Sequence, residues 1–213
     1  MARKRKLDDR SARHDAAYRR AKQEGFAARA VYKLQELDQR FSLLGHGRRV
    51  LDLGCWPGSW MQHAAQRVGE EGLVIGLDLR PVELALPPWC EAFVVDVDEL
   101  DPARLVERFG EFDVVLSDMA PRTIGDSTTD RLRSEALFER ALDIAVAVLR
   151  PGGHFAGKVF QGGQFPQLIQ RMRETFSMAK PFHTKATRTG STEQYLVGRG
   201  RRAKLGGEPS SPK

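Results

Sequence analysis

Between residues 50 and 200 short apolar runs alternate with longer stretches of helical periodicity. The runs predict strands at 50–54, 73–78, 92–96, 112–118 and 155–160. Helices are predicted between them at 60–68, 102–109, 131–149 and 165–176, with Asp101 as an N-cap for the second. Two further strands, near 178–185 and 194–198, flank a turn-rich loop and read as an antiparallel pair. Ahead of this series, 15–24 and 27–41 read as helices. In the second, Val31, Leu34, Leu37 and Phe41 recur at three- and four-residue spacing, which makes an apolar stripe. Lys33 lies off that stripe. No internal repeat is visible.

Short strands alternating with helices imply an α/β fold. The expected core is a mostly parallel seven-stranded sheet, helices on both faces, with an antiparallel last pair. Ligands of such sheets bind at the carboxyl ends of the strands, near the point where strand order reverses. The polar residues there are Asp52 and Gly54, Asp78, Asp96, Asp118 and Lys158.

Composition narrows the class. Of 213 residues, 41% are hydrophobic and 29% charged, enough apolar content for one domain with a proper core. The longest apolar stretch, 141–149, is short and contains Asp143, whereas a membrane span needs about 20 apolar residues. The basic N-terminus has no apolar stretch behind it, so no secretory signal is expected. Cys55 and Cys90 form neither a disulfide framework nor a zinc pattern, and a cytoplasmic protein without a bound metal is expected. One domain at 13–200 is expected, between flexible tails at 1–12 and 201–213. Nothing marks a dimer seam, so a monomer is expected.

Charge is uneven. Residues 1–33 carry a net +7, residues 198–213 carry +4, and the middle carries −5. The N-terminal block mixes basic residues with Tyr18, Phe26 and Tyr32. Arginine and lysine neutralise phosphates and aromatics stack on bases. Arg19, Arg20, Lys22 and Arg29 are therefore candidates for RNA contact. The C-terminal charge reads as a solvated tail.

The first strand runs into Asp52-Leu-Gly54-Cys-Trp-Pro57-Gly58-Ser-Trp60. Glycines let such a loop turn sharply and let a ligand approach the backbone. The dinucleotide fingerprint and the phosphate-cradling ATP loop are both missing. Asp78 suits two ribose hydroxyls, and Asp96 suits an adenine amino group. An adenosine cofactor without a pyrophosphate fits, and S-adenosylmethionine is one. Its sulfonium is cationic, which matches an acidic rim.

Five motifs now occur in order: Arg29-Ala-Val-Tyr-Lys33-Leu, the loop through Trp60, Ser117-Asp-Met-Ala-Pro121, Gly157-Lys-Val-Phe-Gln-Gly162 and Ser191-Thr-Glu-Gln-Tyr195. Together they resemble the FtsJ/RlmE family of ribose 2′-O-methyltransferases over about residues 13–200. The resemblance implies a Rossmann-like S-adenosylmethionine-dependent methyltransferase fold. It implies a substrate in RNA, a uridine of 23S rRNA within the 50S subunit. It places a catalytic set on Lys33, Asp118, Lys158 and Glu193. It places cofactor contacts on Gly58, Trp60, Asp78, Asp96 and Asp118, with Gly54 and Pro57 in the same loop. The family's loop usually reads Gly-Ala-Ala-Pro-Gly-Gly-Trp. Here Cys55 and Trp56 replace two small residues and Ser59 replaces a glycine.

Elementary chemistry supports the catalytic set. A ribose hydroxyl is a poor nucleophile until its proton leaves, whereas a sulfonium methyl needs only in-line attack. The protein must supply a base and orient the hydroxyl. A lysine is a base only when its pKa falls, and burial beside a second cation lowers it. Lys158 near Lys33 meets that requirement, so Lys158 is the expected general base. Asp118 would orient, and Glu193 would orient Lys33 or the ribose. Carbon-5 methylation of pyrimidines needs a cysteine nucleophile, and neither cysteine is suitably placed. Two alternatives stay open: a tRNA ribose methyltransferase, and a non-catalytic RNA-binding ribosome assembly factor on the same fold.

Overall fold

The computed structural model describes residues 16–122, 124–187 and 190–203. The expected tail at 1–12 lies outside them, as does most of the expected tail at 201–213. Two helices come first, α1 (Ala16–Gln23) and α2 (Val31–Phe41). The alternating series follows: β1 (Arg49–Leu53), α3 (Ser59–Val68), β2 (Leu73–Asp78), β3 (Cys90–Val94), α4 (Pro102–Phe109), β4 (Phe112–Ser117), α5 (Ser127–Val148), β5 (Leu149–Phe160), α6 (Phe165–Thr175), β6 (Phe176–Phe182) and β7 (Glu193–Arg201).

The strands form one seven-stranded sheet in the order β3-β2-β1-β4-β5-β7-β6. Pairing is parallel from β3 across to β5. Strand β7 runs antiparallel to both its neighbours, β5 and β6. The order reverses between β1 and β4, so a crevice opens at their carboxyl ends.

Alternation along each strand feeds two apolar layers. Leu51, Ile75, Val115 and Phe155 face one layer with Leu105 of α4, Phe138, Ala141 and Leu142 of α5, and Leu168 and Met172 of α6. Val50, Val74, Val114 and Ala156 face the other with Leu34 and Leu37 of α2 and Met61 and Ala64 of α3. Phe138 meets Phe155 edge-on at 5.5 Å, and Phe155 stacks on Phe176 at 6.3 Å. Truncating a buried aromatic such as Phe138 to alanine costs roughly 3–5 kcal/mol. Among the described residues no helix is long and apolar enough to cross a membrane.

Several boundaries differ from the sequence reading. Helix α2 starts at Val31 rather than at 27. Ahead of it the Val31, Tyr32 and Lys33 amides close tight turns on the Ala28, Arg29 and Ala30 carbonyls, and the Ala27 amide donates to Gln62 at 2.8 Å. Helix α5 starts early because Asp126 caps it, accepting from the Thr128 and Thr129 amides. Strand β3 lies two residues earlier than expected, at Cys90–Val94. Strand β5 begins at Leu149 rather than 155, and its register against β4 shifts between Phe112 and Val114. Strand β7 continues to Arg201, whose Nε donates to the Val146 carbonyl at 3.1 Å, so ordered chain passes the expected boundary at 200. The expected cap of α4 is present, with the Asp101 carboxylate accepting from the Ala103 amide at 3.0 Å.

Candidate active site

The loop after β1 approaches the loop after β4 because residue 54 is a glycine. Its φ is +78°, and a Cβ there would lie 2.7 Å from the Met119 side chain and 2.9 Å from its amide nitrogen. No other residue fits without moving backbone. Asp78, ending β2, pins this loop: one carboxylate oxygen accepts from the Trp56 amide and the other from the Arg80 amide, both at 2.9 Å. Asp96, just past β3, accepts from the Asp98 amide at 3.0 Å. A cavity of about 350 Å³ opens between these loops, with Gly54, Trp56, Asp78, Asp96, Asp118 and Met119 among its walls.

Behind the loop, Asp52 is completely buried, and neither of its carboxyl oxygens has a hydrogen-bond partner. Burial first, then the charges of Asp118 and Asp78, push its pKa well above the ordinary carboxylate value. Three carboxyl groups thus gather at one strand edge. A cationic ligand would relieve their repulsion, and this donor set suits the cationic, phosphate-free adenosine cofactor expected from the sequence.

Four of the seven expected cofactor residues line the cavity: Gly54, Asp78, Asp96 and Asp118. Pro57, Gly58 and Trp60 lie outside its lining. Gly58, at φ +105°, lets the loop pack on Val82 and Leu84. Trp60 is 3% exposed and is committed to the core, with its ring 5.9 Å from that of Tyr195. Cys55 is buried, and burial foremost pushes its thiol pKa up, so it is no nucleophile at neutral pH.

The two lysines and their carboxylates meet beside this cavity. Register sets Lys158 of β5 opposite Tyr195 of β7, and Phe160 opposite Glu193. Lys158 Nζ donates to the Asp118 carbonyl at 2.6 Å and sits 3.1 Å from Asp118 Oδ1. The Tyr195 hydroxyl donates to that same Oδ1 at 2.6 Å. Lys33, from α2, reaches both oxygens of Glu193, at 2.7 and 2.8 Å, and its Nζ stands 5.9 Å from the Tyr195 ring centre. Thr187 donates to Glu193 Oε1 at 2.8 Å. All four expected residues therefore belong to one cluster, bridged by Tyr195. Each lysine has its own carboxylate, and Glu193 holds Lys33.

The electrostatics follow from that pairing. Burial works against the Asp118 carboxylate, but Lys158, Lys33 and the Tyr195 hydroxyl outweigh it and hold its pKa below the ordinary value. Burial, then the neighbouring Asp118 and Glu193 charges, push the Tyr195 phenol well above its ordinary value, so it stays a donor. Tyr195 lies in one of the motifs noted above, but no role was read for it. Period-two alternation in β7, which sets Glu193 and Tyr195 on one face, was the available signal.

The expected RNA block divides. Arg19 and Lys22 are exposed on α1. Arg20 is taken up by Glu24 at 2.7 Å and stacks 4.6 Å from the Tyr32 ring centre. Arg29 lies, partly buried, in the turn between α1 and α2. Of the three aromatics only Tyr18 is an open surface group. Phe26 and Tyr32 pack inward with Ala21 and Val31, correcting the expectation that these aromatics are available to stack on bases.

A mostly parallel seven-stranded sheet with a reversed β7, and an acidic cavity where strand order turns, defines a Rossmann-like methyltransferase fold. A profile of FtsJ-like methyltransferases matches residues 26–201, and the chain belongs to that family. It is 48% identical over 185 residues to the ribosomal RNA large subunit methyltransferase E of Syntrophobacter fumaroxidans, covering 86% of this chain and 94% of the relative. The protein of that name from Desulfatibacillum aliphaticivorans is 47% identical over 179 residues, covering 84% and 86%. A Plasmodium falciparum crystal structure described as a ribosomal RNA methyltransferase superimposes with a TM-score of 0.73 at 26% identity, covering 84% of this chain and 100% of that one.

Proposed function

We propose that this protein transfers a methyl group from S-adenosylmethionine to a ribose 2′-hydroxyl of RNA, a uridine of 23S rRNA in the 50S subunit, in the cytoplasm. The observation that carries the reading is the double position of Asp118. It is a wall of the acidic cavity and the partner of Lys158. A donor bound in the cavity and a hydroxyl presented to Lys158 would therefore meet at one residue. The names of the relatives support a ribosomal substrate.

Gly54, Asp78, Asp96 and Asp118 would hold the cofactor. When bound, S-adenosylmethionine supplies a methyl group already activated by its sulfonium. The chain's own task is to orient the hydroxyl and accept its proton. Lys158 takes that proton as the general base, with Asp118 against it as counter-ion. Tyr195 fixes the Asp118 carboxylate from the other side. Glu193 keeps Lys33 in place, where its charge acts on Asp118.

The test is methyl transfer from labelled S-adenosylmethionine to 50S particles and to tRNA, both from cells lacking this methylation. Label at a ribose of 23S rRNA is expected. Label in tRNA alone would replace the substrate, and label in no RNA would leave a binding protein.

A further inference from the structure

One feature of the loop after β1 has no part in the proton-handling cluster. Trp56 stands at the mouth of the acidic cavity as one of its walls, with 42% of its surface exposed. The Arg80 guanidinium lies 3.5 Å from the centre of its ring. Trp56 belongs to neither large apolar layer. Asp78 anchors the pair instead, since its two oxygens accept the Trp56 and Arg80 amides. The carboxylate that suits a ribose thus also holds the indole beside the ribose position.

An open indole leaves a large apolar surface in water, and an arginine stacked on it gives up side-chain freedom. The stack returns only a small stabilisation at an exposed site. The remaining gain is to be sought in a ligand. The ring borders a cavity whose polar lining is Asp78, Asp96, Asp98 and Asp118. That lining repels phosphates and favours a ligand without them. Leu79 and Val97 add apolar surface to the same walls.

We propose that Trp56, backed by Arg80, is an aromatic wall against which the adenosine of the cofactor packs. This rests on the cofactor reading given above. Sugar C–H groups and a purine face both pack well on an indole. The contact is to the adenosine, so it serves S-adenosylmethionine and S-adenosylhomocysteine alike.

The experiment titrates S-adenosylhomocysteine, then S-adenosylmethionine, into the full chain, followed by calorimetry and tryptophan emission. The other two tryptophans are bonded within the fold, Trp60 to the Ala30 carbonyl and Trp89 to the Ala65 carbonyl. Wild type should show a saturable emission change. Trp56→Ala should lose most of that change and raise Kd about tenfold. Arg80→Ala should raise it roughly twofold to fivefold. Both variants should fold, because the indole lies outside the core layers, and a melting curve checks this. A Trp56→Ala variant that binds both ligands as tightly as wild type overturns the proposal. If that variant instead loses RNA affinity, the platform belongs to a nucleic-acid base. Failure of wild type to bind either ligand sinks the cofactor reading itself, and the proposal with it.

Discussion

The two halves of the sheet's carboxyl edge treat charge in opposite ways. On the β1–β2–β3 side, Asp78 and Asp96 accept from backbone amides, and Asp52 has no partner at all. On the β4–β5–β7 side every lysine of the cluster faces a carboxylate, and Tyr195 ties the two pairs together. The first half gathers carboxyl groups with no lysine among them, an arrangement suited to a cation. The second half is balanced internally and so is preorganised, with side chains already oriented before substrate arrives. Under the proposed function one edge would bind the cofactor and the other would handle the proton, and Asp118 belongs to both.

The largest effect should come from breaking the balanced half. Lys158→Ala removes the proposed base, and methyl transfer to 50S particles should fall about a hundredfold or more. S-adenosylhomocysteine should still bind with an affinity near that of wild type, measured by calorimetry on protein shown to be folded. Activity equal to wild type would remove Lys158 from the chemistry.

A smaller effect comes from the unbalanced half. Asp52 has a raised pKa, so its contribution to stability is full below about pH 4 and is lost as pH rises toward the folded-state value. Asp52→Asn takes that loss away. Its melting temperature should exceed that of wild type near neutral pH, by a few degrees, and the gap should close toward pH 4.

The smallest effect separates pH behaviour at the site from pH behaviour elsewhere. His154, in β5, has its pKa lowered to about 4 by burial, with Arg48 and Arg199 adding to the shift. Its stabilising contribution is present above about pH 6.5 and is lost as pH falls through about 4. The sign is opposite to that of Asp52. His154→Asn should flatten the acid limb of a thermal-melting profile between pH 6.5 and 4 and leave the alkaline limb unchanged.

Much of the sheet was legible because its strands are apolar runs closed by polar residues. The positions of Asp78, Asp118 and Lys158 at one edge followed from that pattern alone. The Lys33–Glu193 pair was legible only through the family resemblance, not from the pattern of apolar and polar residues. Lys33 and Glu193 are 160 residues apart, and only the reversed β7, placed between β5 and β6, brings them together. The two tryptophans of the loop were not separable in the sequence: burial turns the Trp60 indole into the core, while its exposed neighbour Trp56 faces the cavity. The inward packing of Phe26 and Tyr32 was hidden for a similar reason: helical spacing says which residues share a face but not what covers it.

The reversed strand also fixes an order of events during synthesis. Lys33 is made before Lys158, and Lys158 before Glu193 and Tyr195. A nascent chain that lacks β7 has no bridge between its two amines and no closed sheet on that flank. The cluster around Lys158 therefore cannot close until β7 has been made.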